Sequence, residues 1–111
     1  MLEKFDVIFL EDAHEFLVTV KPKARLKLIY NIDKSKQLND PKLFKKLESE
    51  IWEFRAEFIK LQHRLLAFWD KRNAKKTLVV CTHGFIKKDD KVPKAEIDKA
   101  KTIMKRYFEQ T

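Results

Sequence analysis

This sequence of 111 residues contains only one glycine, one cysteine and three prolines. So little glycine argues against long flexible linkers, and the length suits one compact domain spanning residues 1–111. The single cysteine, Cys81, cannot form an internal disulfide, and it follows an apolar run at 78–80 that predicts a buried thiol. A reducing compartment, and hence a cytoplasmic location, is therefore expected.

Long hydrophobic runs are also missing. The first ten residues interrupt their apolar stretch with Glu3, Lys4 and Asp6, so neither a signal peptide nor a membrane span is expected there. No membrane association is predicted.

Acidic residues are few relative to basic ones. The 17 Asp and Glu against 25 Lys and Arg give a formal net charge of +8, and the pI is about 9.6. The excess lies in residues 71–111, which hold 12 basic and 5 acidic side chains, whereas residues 1–70 are nearly neutral. Such a charge favours a polyanionic partner such as nucleic acid. A basic surface that merely maintains solubility is the alternative.

The hydrophobic periodicity predicts an α+β fold. Period-two alternation indicates a first strand at 5–9, and helical spacing then indicates a helix from Glu11 and a second helix from Pro22 to about Lys36. Pro93 is expected to open a last helix. The segment 41–47 could be a turn of helix or a loop. Three strands that form an antiparallel meander are expected between these helices, at 51–58, 63–70 and 77–85.

The strand at 51–58 has one apolar and one charged face. Its charged face carries Glu53, Arg55 and Glu57, and Arg64 on the next strand would place a second guanidinium near these carboxylates. The alternative is a solvated outer face with cross-strand salt bridges. His63 precedes Arg64 and must point to the opposite face of a regular strand.

RNA cleavage by the 2′-hydroxyl needs a proton acceptor, a proton donor and cations that hold the phosphorane. Arginine grips phosphate in bidentate fashion. Near the end of a strand, the segment 82–88 adds His83, Lys87 and Lys88, and an imidazole titrates near neutrality. Cys81 and His83 are predicted to share a strand face, but two such ligands make a poor metal site. Neither a metal nor a cofactor is predicted.

Three strings, "IWEFRAEF", "HRLLAFW" and "THGFIKKDDKVPKAEIDKA", make the chain similar to the phage-derived branch of the RelE/HigB toxin superfamily. The similarity covers about residues 51–101. It implies a RelE-like fold, with two N-terminal helices packed on a small curved antiparallel sheet and a C-terminal helix. It also implies a type II toxin, a metal-independent endoribonuclease that cleaves messenger RNA on the ribosome. The implied partner is a helix-turn-helix antitoxin, and a heterotetramer is one expected stoichiometry.

The resemblance also implies roles for particular residues. Arg55 and Arg64 would bind and polarise the scissile phosphate, Lys87 and Lys88 would supply charge and the acid, and Glu53 would be the base. Further RNA contacts are expected from Lys71, Arg72, Lys91 and Lys94. The sequence departs from the best-known RelE toxins, because Glu53 and Arg55 replace two central lysines. Their catalytic tyrosine has no counterpart, since Tyr107 is predicted to be a core residue.

Two other functions are compatible with the sequence. A ParE-like toxin would have the same fold but would poison DNA gyrase. The grouping of Arg55, Arg64 and Lys87 argues against this function. A basic nucleic-acid-binding module without catalysis, or a phage tail accessory protein, would use only the positive surface.

Overall fold

The computed structural model describes residues 4–110 and has three helices and one five-stranded sheet there. Glu3, which interrupts the apolar N-terminus, lies outside these residues. The sheet order is β1-β5-β4-β3-β2. The elements in chain order are β1 (Asp6–Phe9), α1 (Glu11–Thr19), α2 (Pro22–Ser35), β2 (Phe44–Glu48), β3 (Ile51–Phe58), β4 (Leu61–Asp70), β5 (Leu78–Lys87) and α3 (Lys94–Gln110).

The α+β class and the order of helices are confirmed, but the sheet is mixed. Strands β3 to β5 form the predicted antiparallel meander, and β2, which was not predicted, extends it beside β3, whereas β1 pairs with β5 in parallel. A parallel pair needs a long crossover between its strands, and here the helices and three strands supply it. The expectation of a wholly antiparallel sheet is wrong, because proximity along the chain informs only about consecutive strands.

The two N-terminal helices form where hydrophobic periodicity and the residues of their first turns predict them. Glu11 and Asp12 lie in the first turn of α1, and Pro22 begins α2. Each helix buries an apolar stripe against the sheet. The buried members are Ala13 and Leu17 in α1, and Ala24, Leu28 and Ile32 in α2.

The segment 41–47, expected to be a helical turn or a loop, contributes an edge strand instead. Phe44 is buried and stacks on Phe54 of β3 at 4.2 Å between ring centroids. Lys45 and Lys46 are exposed, as is common on sheet edges, where lysines discourage further strand pairing. Pairing with β3 therefore gave an extended conformation to a stretch that has little strand periodicity of its own.

Each face of the sheet carries its own apolar core. On one face, Leu17 of α1 and Leu28 of α2 pack with an aromatic group around Phe54. On the other face, Ile97 and Ala100 of α3 pack against Leu66, Phe68 and Val80 of the sheet. Because α3 covers only part of its face, the rest of that face is left to polar side chains.

A β-bulge in β5 changes which way its residues face. Leu66 pairs with His83, but its neighbour Ala67 pairs with Cys81, so Thr82 is an extra residue. Cys81 belongs to the core under α1 and α2, whereas His83 contacts α3. The prediction that Cys81 and His83 share a face is therefore wrong, because alternation breaks at the bulge.

Within residues 4–110, none of the helices has the length and apolar character needed to cross a bilayer.

Candidate functional site

The candidate site lies on the sheet face opposite α1 and α2, where β3 and β4 approach their connecting turn. Directly paired residues of antiparallel strands share a face. Arg55 pairs with Arg64, which pairs in turn with Phe85 of β5. The neighbouring row is Glu57, Gln62 and Lys87. As predicted, His63 points the other way, towards Phe16 of α1.

Glu53 lies between the two paired arginines. Its Oε1 is 3.2 Å from the Nε of Arg64, and its Oε2 is 3.6 Å from the Nε of Arg55. Two arginines directly opposite each other would repel, so the carboxylate compensates a pairing that is otherwise unfavourable. The structure thus brings together three of the residues predicted for the site.

Arg64 and Glu53 are buried, with 1% and 3% of their surface exposed. The expectation of a wholly solvated salt-bridged face is therefore wrong for this pair. Arg64 Nη1 donates to the carbonyl of His63 at 3.0 Å, and Nη2 donates to Gln62 Oε1 at 3.3 Å. Burial lowers the pKa of Arg64, and the charge of Glu53 opposes that effect. A guanidinium still remains protonated at neutral pH.

The contact between Glu53 and the arginines is mainly coulombic. Within residues 4–110, Glu53 Oε1 and the Nε atoms of Arg55 and Arg64 have no hydrogen-bond partner of good geometry, although the ion-pair distances are short. The separation of 3.2 Å is therefore an attraction between charges, without an aligned N–H. Buried donors that remain unsatisfied are costly, and such groups are concentrated at functional sites.

Arg55 and Lys87 are the more accessible cations of the cluster. The Arg55 side chain is 29% exposed, and its Nη1 donates to the carbonyl of Pro41 at 3.2 Å. Lys87 is half-buried and donates to the carbonyl of Asp90 at 3.2 Å. Burial and the positive charge of Arg64 lower the pKa of Lys87, which eases the loss of its proton.

The sequence alone assigned no role to Gln62, Phe85 or Glu57. Gln62 holds Arg64 and also donates from Nε2 to Glu57 Oε1, and Glu57 is exposed to solvent. Phe85 lies beside Arg64 in its row. Alternation within β4 places Gln62 on the Arg64 face, but Phe85 could be placed only with the β4–β5 register.

His83 is buried two strands from Glu53, with Leu66 between them in the same cross-strand row. Its Nε2 donates to Glu96 Oε1 at 3.0 Å, and its Nδ1 is 3.0 Å from Thr82 Oγ1. Burial lowers the pKa of His83, partly offset by the hydrogen bond to Glu96. The strand rise puts it about 13 Å from Lys87, beyond direct proton transfer to a group bound there. The buried hydroxyl of Thr82 is not accessible as a nucleophile.

The predicted RNA-contacting residues fall into two groups. Lys91 and Lys94 are exposed in the segment that follows β5 and begins α3, where Lys88, predicted to be catalytic, is also exposed. Lys71 and Arg72 lie beyond the far end of β4, about 23 to 26 Å from Arg64 by the strand rise. Arg72 pairs with Asp70 at 2.8 Å and lies over the ring of Phe108, while Lys71 lies over Trp69.

Among residues 4–110, no three His, Cys, Asp or Glu side chains are grouped so that they could hold a metal ion. Cys81 is buried, and burial raises the pKa of its thiol, so a thiolate ligand is disfavoured there. What the site offers is positive charge around one carboxylate, an arrangement suited to holding an oxyanion such as phosphate.

Fold and site together define a small α+β protein with a cationic cluster on the sheet surface that α3 leaves uncovered. The family described as Phage derived protein Gp49-like (DUF891) matches residues 15–105, and the chain belongs to that family. This family belongs to the RelE/HigB-like toxin superfamily and is associated with the toxins of toxin–antitoxin systems. A comparison with curated proteins finds no match.

Proposed function

We propose that this chain is the toxin of a type II toxin–antitoxin pair, an endoribonuclease that cleaves messenger RNA on the ribosome in the cytoplasm. The proposal includes a RelE-like arrangement of the fold and membership of the HigB-type branch. It also includes a helix-turn-helix antitoxin as the partner, with a heterotetramer as one stoichiometry of the complex. The observation that supports the proposal most directly is the grouping of Arg55, Arg64 and Lys87 around Glu53. Three cations against the carboxylates of Glu53 and Glu57 leave about one positive charge for a phosphate.

The accessible residues of the cluster can perform the chemistry. As the 2′-oxygen attacks phosphorus, its proton passes to a carboxylate and the bond from phosphorus to the 5′-oxygen breaks. The ammonium of Lys87 then protonates that leaving oxygen, which its lowered pKa favours. The products are a 2′,3′-cyclic phosphate and a 5′-hydroxyl. Arg55 holds the phosphate oxygens, and Lys88, Lys91 and Lys94 attract the RNA backbone.

Glu57 suits the role of proton acceptor better than Glu53. Glu53 is enclosed between two guanidinium groups, so it positions Arg55 and Arg64, whereas Glu57 is exposed in the same row as Lys87. We therefore expect Glu57→Gln to lower the cleavage rate about a hundredfold with an unchanged melting temperature. Glu53→Gln should lower both the cleavage rate and the melting temperature. If the Glu57→Gln variant cleaves at the normal rate, Glu57 is not the general base, and Glu53 is again the candidate.

The proposed function is tested by induced expression followed by mapping of RNA ends. New ends with 2′,3′-cyclic phosphate are expected within coding regions. The Arg55→Gln variant should produce none of them, whereas Arg106→Gln, which alters an exposed arginine on α3, should cut normally. Growth arrest without new RNA ends would contradict the proposal. DNA breaks in that case would indicate a ParE-like gyrase poison, and binding of RNA without arrest would indicate a non-catalytic module.

A further inference from the structure

The turn between β3 and β4 presents apolar side chains beside a groove. Ile59 is 69% exposed and Leu61 is 46% exposed. A groove of about 290 Å³ separates this turn from the junction of α1 and α2. Its lining is largely apolar, with His63 as a buried polar member. The apolar lining residues besides the turn are Phe16, Val20, Ala24, Phe58 and Ile86.

Ile59 is held in a conformation that isoleucine disfavours. Ile59 and Lys60 both adopt left-handed φ values, 49° and 62°, in the two-residue connection between β3 and β4. Such hairpin turns favour Asn-Gly, because a β-branched side chain is strained there. A strained residue that also exposes most of an apolar side chain gains nothing from packing in the isolated chain. This combination is expected where a partner covers the side chain.

The rim of the groove is positively charged. Lys21 lines it and Lys60 is in the turn, while Lys23, Arg25 and Lys27 follow at the beginning of α2. The first turn of α2 contains no acidic residue, although the helix dipole favours one there. The partial positive charge at the N-terminus of α2 therefore adds to the charge of the lysines. Together they complement a partner that carries carboxylates beside its apolar side chains.

We propose that this groove, with Ile59 and Leu61 at its lip, docks an acidic segment of a partner protein. Apolar side chains of that segment fill the groove, and its carboxylates meet Lys21 and Lys60. The apolar lining favours protein over RNA. Identifying this partner as the antitoxin rests on the proposed function.

The groove lies across the sheet from the candidate active site, because His63 in its lining and Arg64 point to opposite faces of β4. A segment docked in the groove therefore leaves Arg55 and Lys87 uncovered. The docked segment itself would then inhibit by making the toxin too bulky for the ribosome, without occupying the phosphate site.

The test compares Ile59→Asn with a matched control, Leu26→Gln. Asparagine tolerates the left-handed conformation, so Ile59→Asn should fold with an equal or higher melting temperature. Leu26 is 67% exposed on α2 and does not line the groove. Titration calorimetry would use the purified protein encoded by the neighbouring reading frame. A short labelled single-stranded RNA serves as the second probe.

Ile59→Asn is expected to weaken binding of the neighbouring protein about tenfold or more, and Lys21→Glu with Lys60→Glu should also weaken it. Leu26→Gln should bind normally, and RNA affinity and mapped RNA ends should be unchanged in Ile59→Asn. Unchanged partner affinity in Ile59→Asn, absence of binding by the wild-type pair, or a selective loss of RNA binding would each overturn the inference. If partner binding depends on Ile59 but no RNA ends appear, the docking site stands and the nuclease proposal fails.

Discussion

Arg64 is the largest of the fully buried side chains in residues 4–110, and its burial determines what its removal would do. Its side chain is held by Glu53, Gln62 and the carbonyl of His63. In the proposed mechanism it therefore acts mainly by fixing Glu53 and contributing positive potential, while Arg55 is the more accessible of the two arginines. Sequence reasoning could group these residues on one face, but it could not rank their exposure.

Arg64→Ala should destabilise the protein by about 3–5 kcal/mol, because it leaves Glu53 buried without its closest cation. The double variant Glu53→Gln with Arg64→Gln should recover part of that loss, since neither charge remains. Both variants should fail to cleave RNA. Urea unfolding and RNA-end mapping would measure the two effects. A double variant that cleaves like the wild type would show that the cluster is not the active site.

Asp70 forms a second charged contact, at the far end of β4. It accepts hydrogen bonds from Arg72 and from the hydroxyl of Tyr107, which is half-buried and packs on Phe68 at the edge of the core. The hydrogen bond from Arg72 lowers the pKa of Asp70 most, and that from Tyr107 contributes, although burial opposes both. This contact ties the C-terminal part of α3 to the sheet.

Because the folded-state pKa of Asp70 lies below its unfolded value, its stabilisation is present above about pH 4 and is lost as pH falls further. Asp70→Asn should lower the unfolding free energy by about 1–3 kcal/mol at neutral pH. The difference from wild type should shrink in acid. Asp33→Asn, at an exposed ion pair with Lys36, is the control and should change little. A pH-independent difference for Asp70→Asn would contradict this account.

At the scale of elements, the contact between α1 and β5 depends on the single glycine. A Cβ atom at Gly84 would overlap the ring of Phe16, so this ring can lie against the strand because residue 84 has no side chain. The contact is two residues beyond the bulge at Thr82, which turns His83 towards α3. The glycine predicts a close approach only after the register of β5 is known.

Gly84→Ala should therefore destabilise the fold by about 1–3 kcal/mol through overpacking. Phe16→Leu in the same chain should relieve part of this loss, and a double-mutant cycle on melting temperature would measure the coupling. Additive effects of the two substitutions would show that they do not share this contact.

At the scale of the whole molecule, the two faces of one sheet carry two different surfaces. One face carries the cationic cluster beside α3, and the other carries the helical hairpin and the apolar groove. The net charge of +8 favours long-range attraction to a polyanion, and this attraction weakens with salt.

We expect the purified protein to leave naked RNA intact with or without Mg²⁺, and to cleave messenger RNA on translating ribosomes. The reason is that the cluster supplies its own cations, while the RNA must be held in place by the ribosome. A primer-extension assay on both substrates measures this. Degradation of naked RNA only when Mg²⁺ is added would contradict it.

The sequence by itself determined the class of fold, because hydrophobic periods, Pro22 and Pro93 act locally and place α1, α2, α3 and the three meander strands. It also placed Glu53, Arg55 and Arg64 near one another, since alternation fixes a face within each strand. These features depend on residues close along the chain. Their signal therefore survives without knowledge of the tertiary structure.

Only the tertiary structure decided the features that depend on distant contacts. Pairing with β3 made 44–48 a strand, and the crossover made β1 parallel to β5. The bulge separated Cys81 from His83, and the burial of Glu53 shifted the proposed base to Glu57. Each outcome depends on which segments meet and which surfaces they exclude from water, and the local sequence pattern does not contain that information.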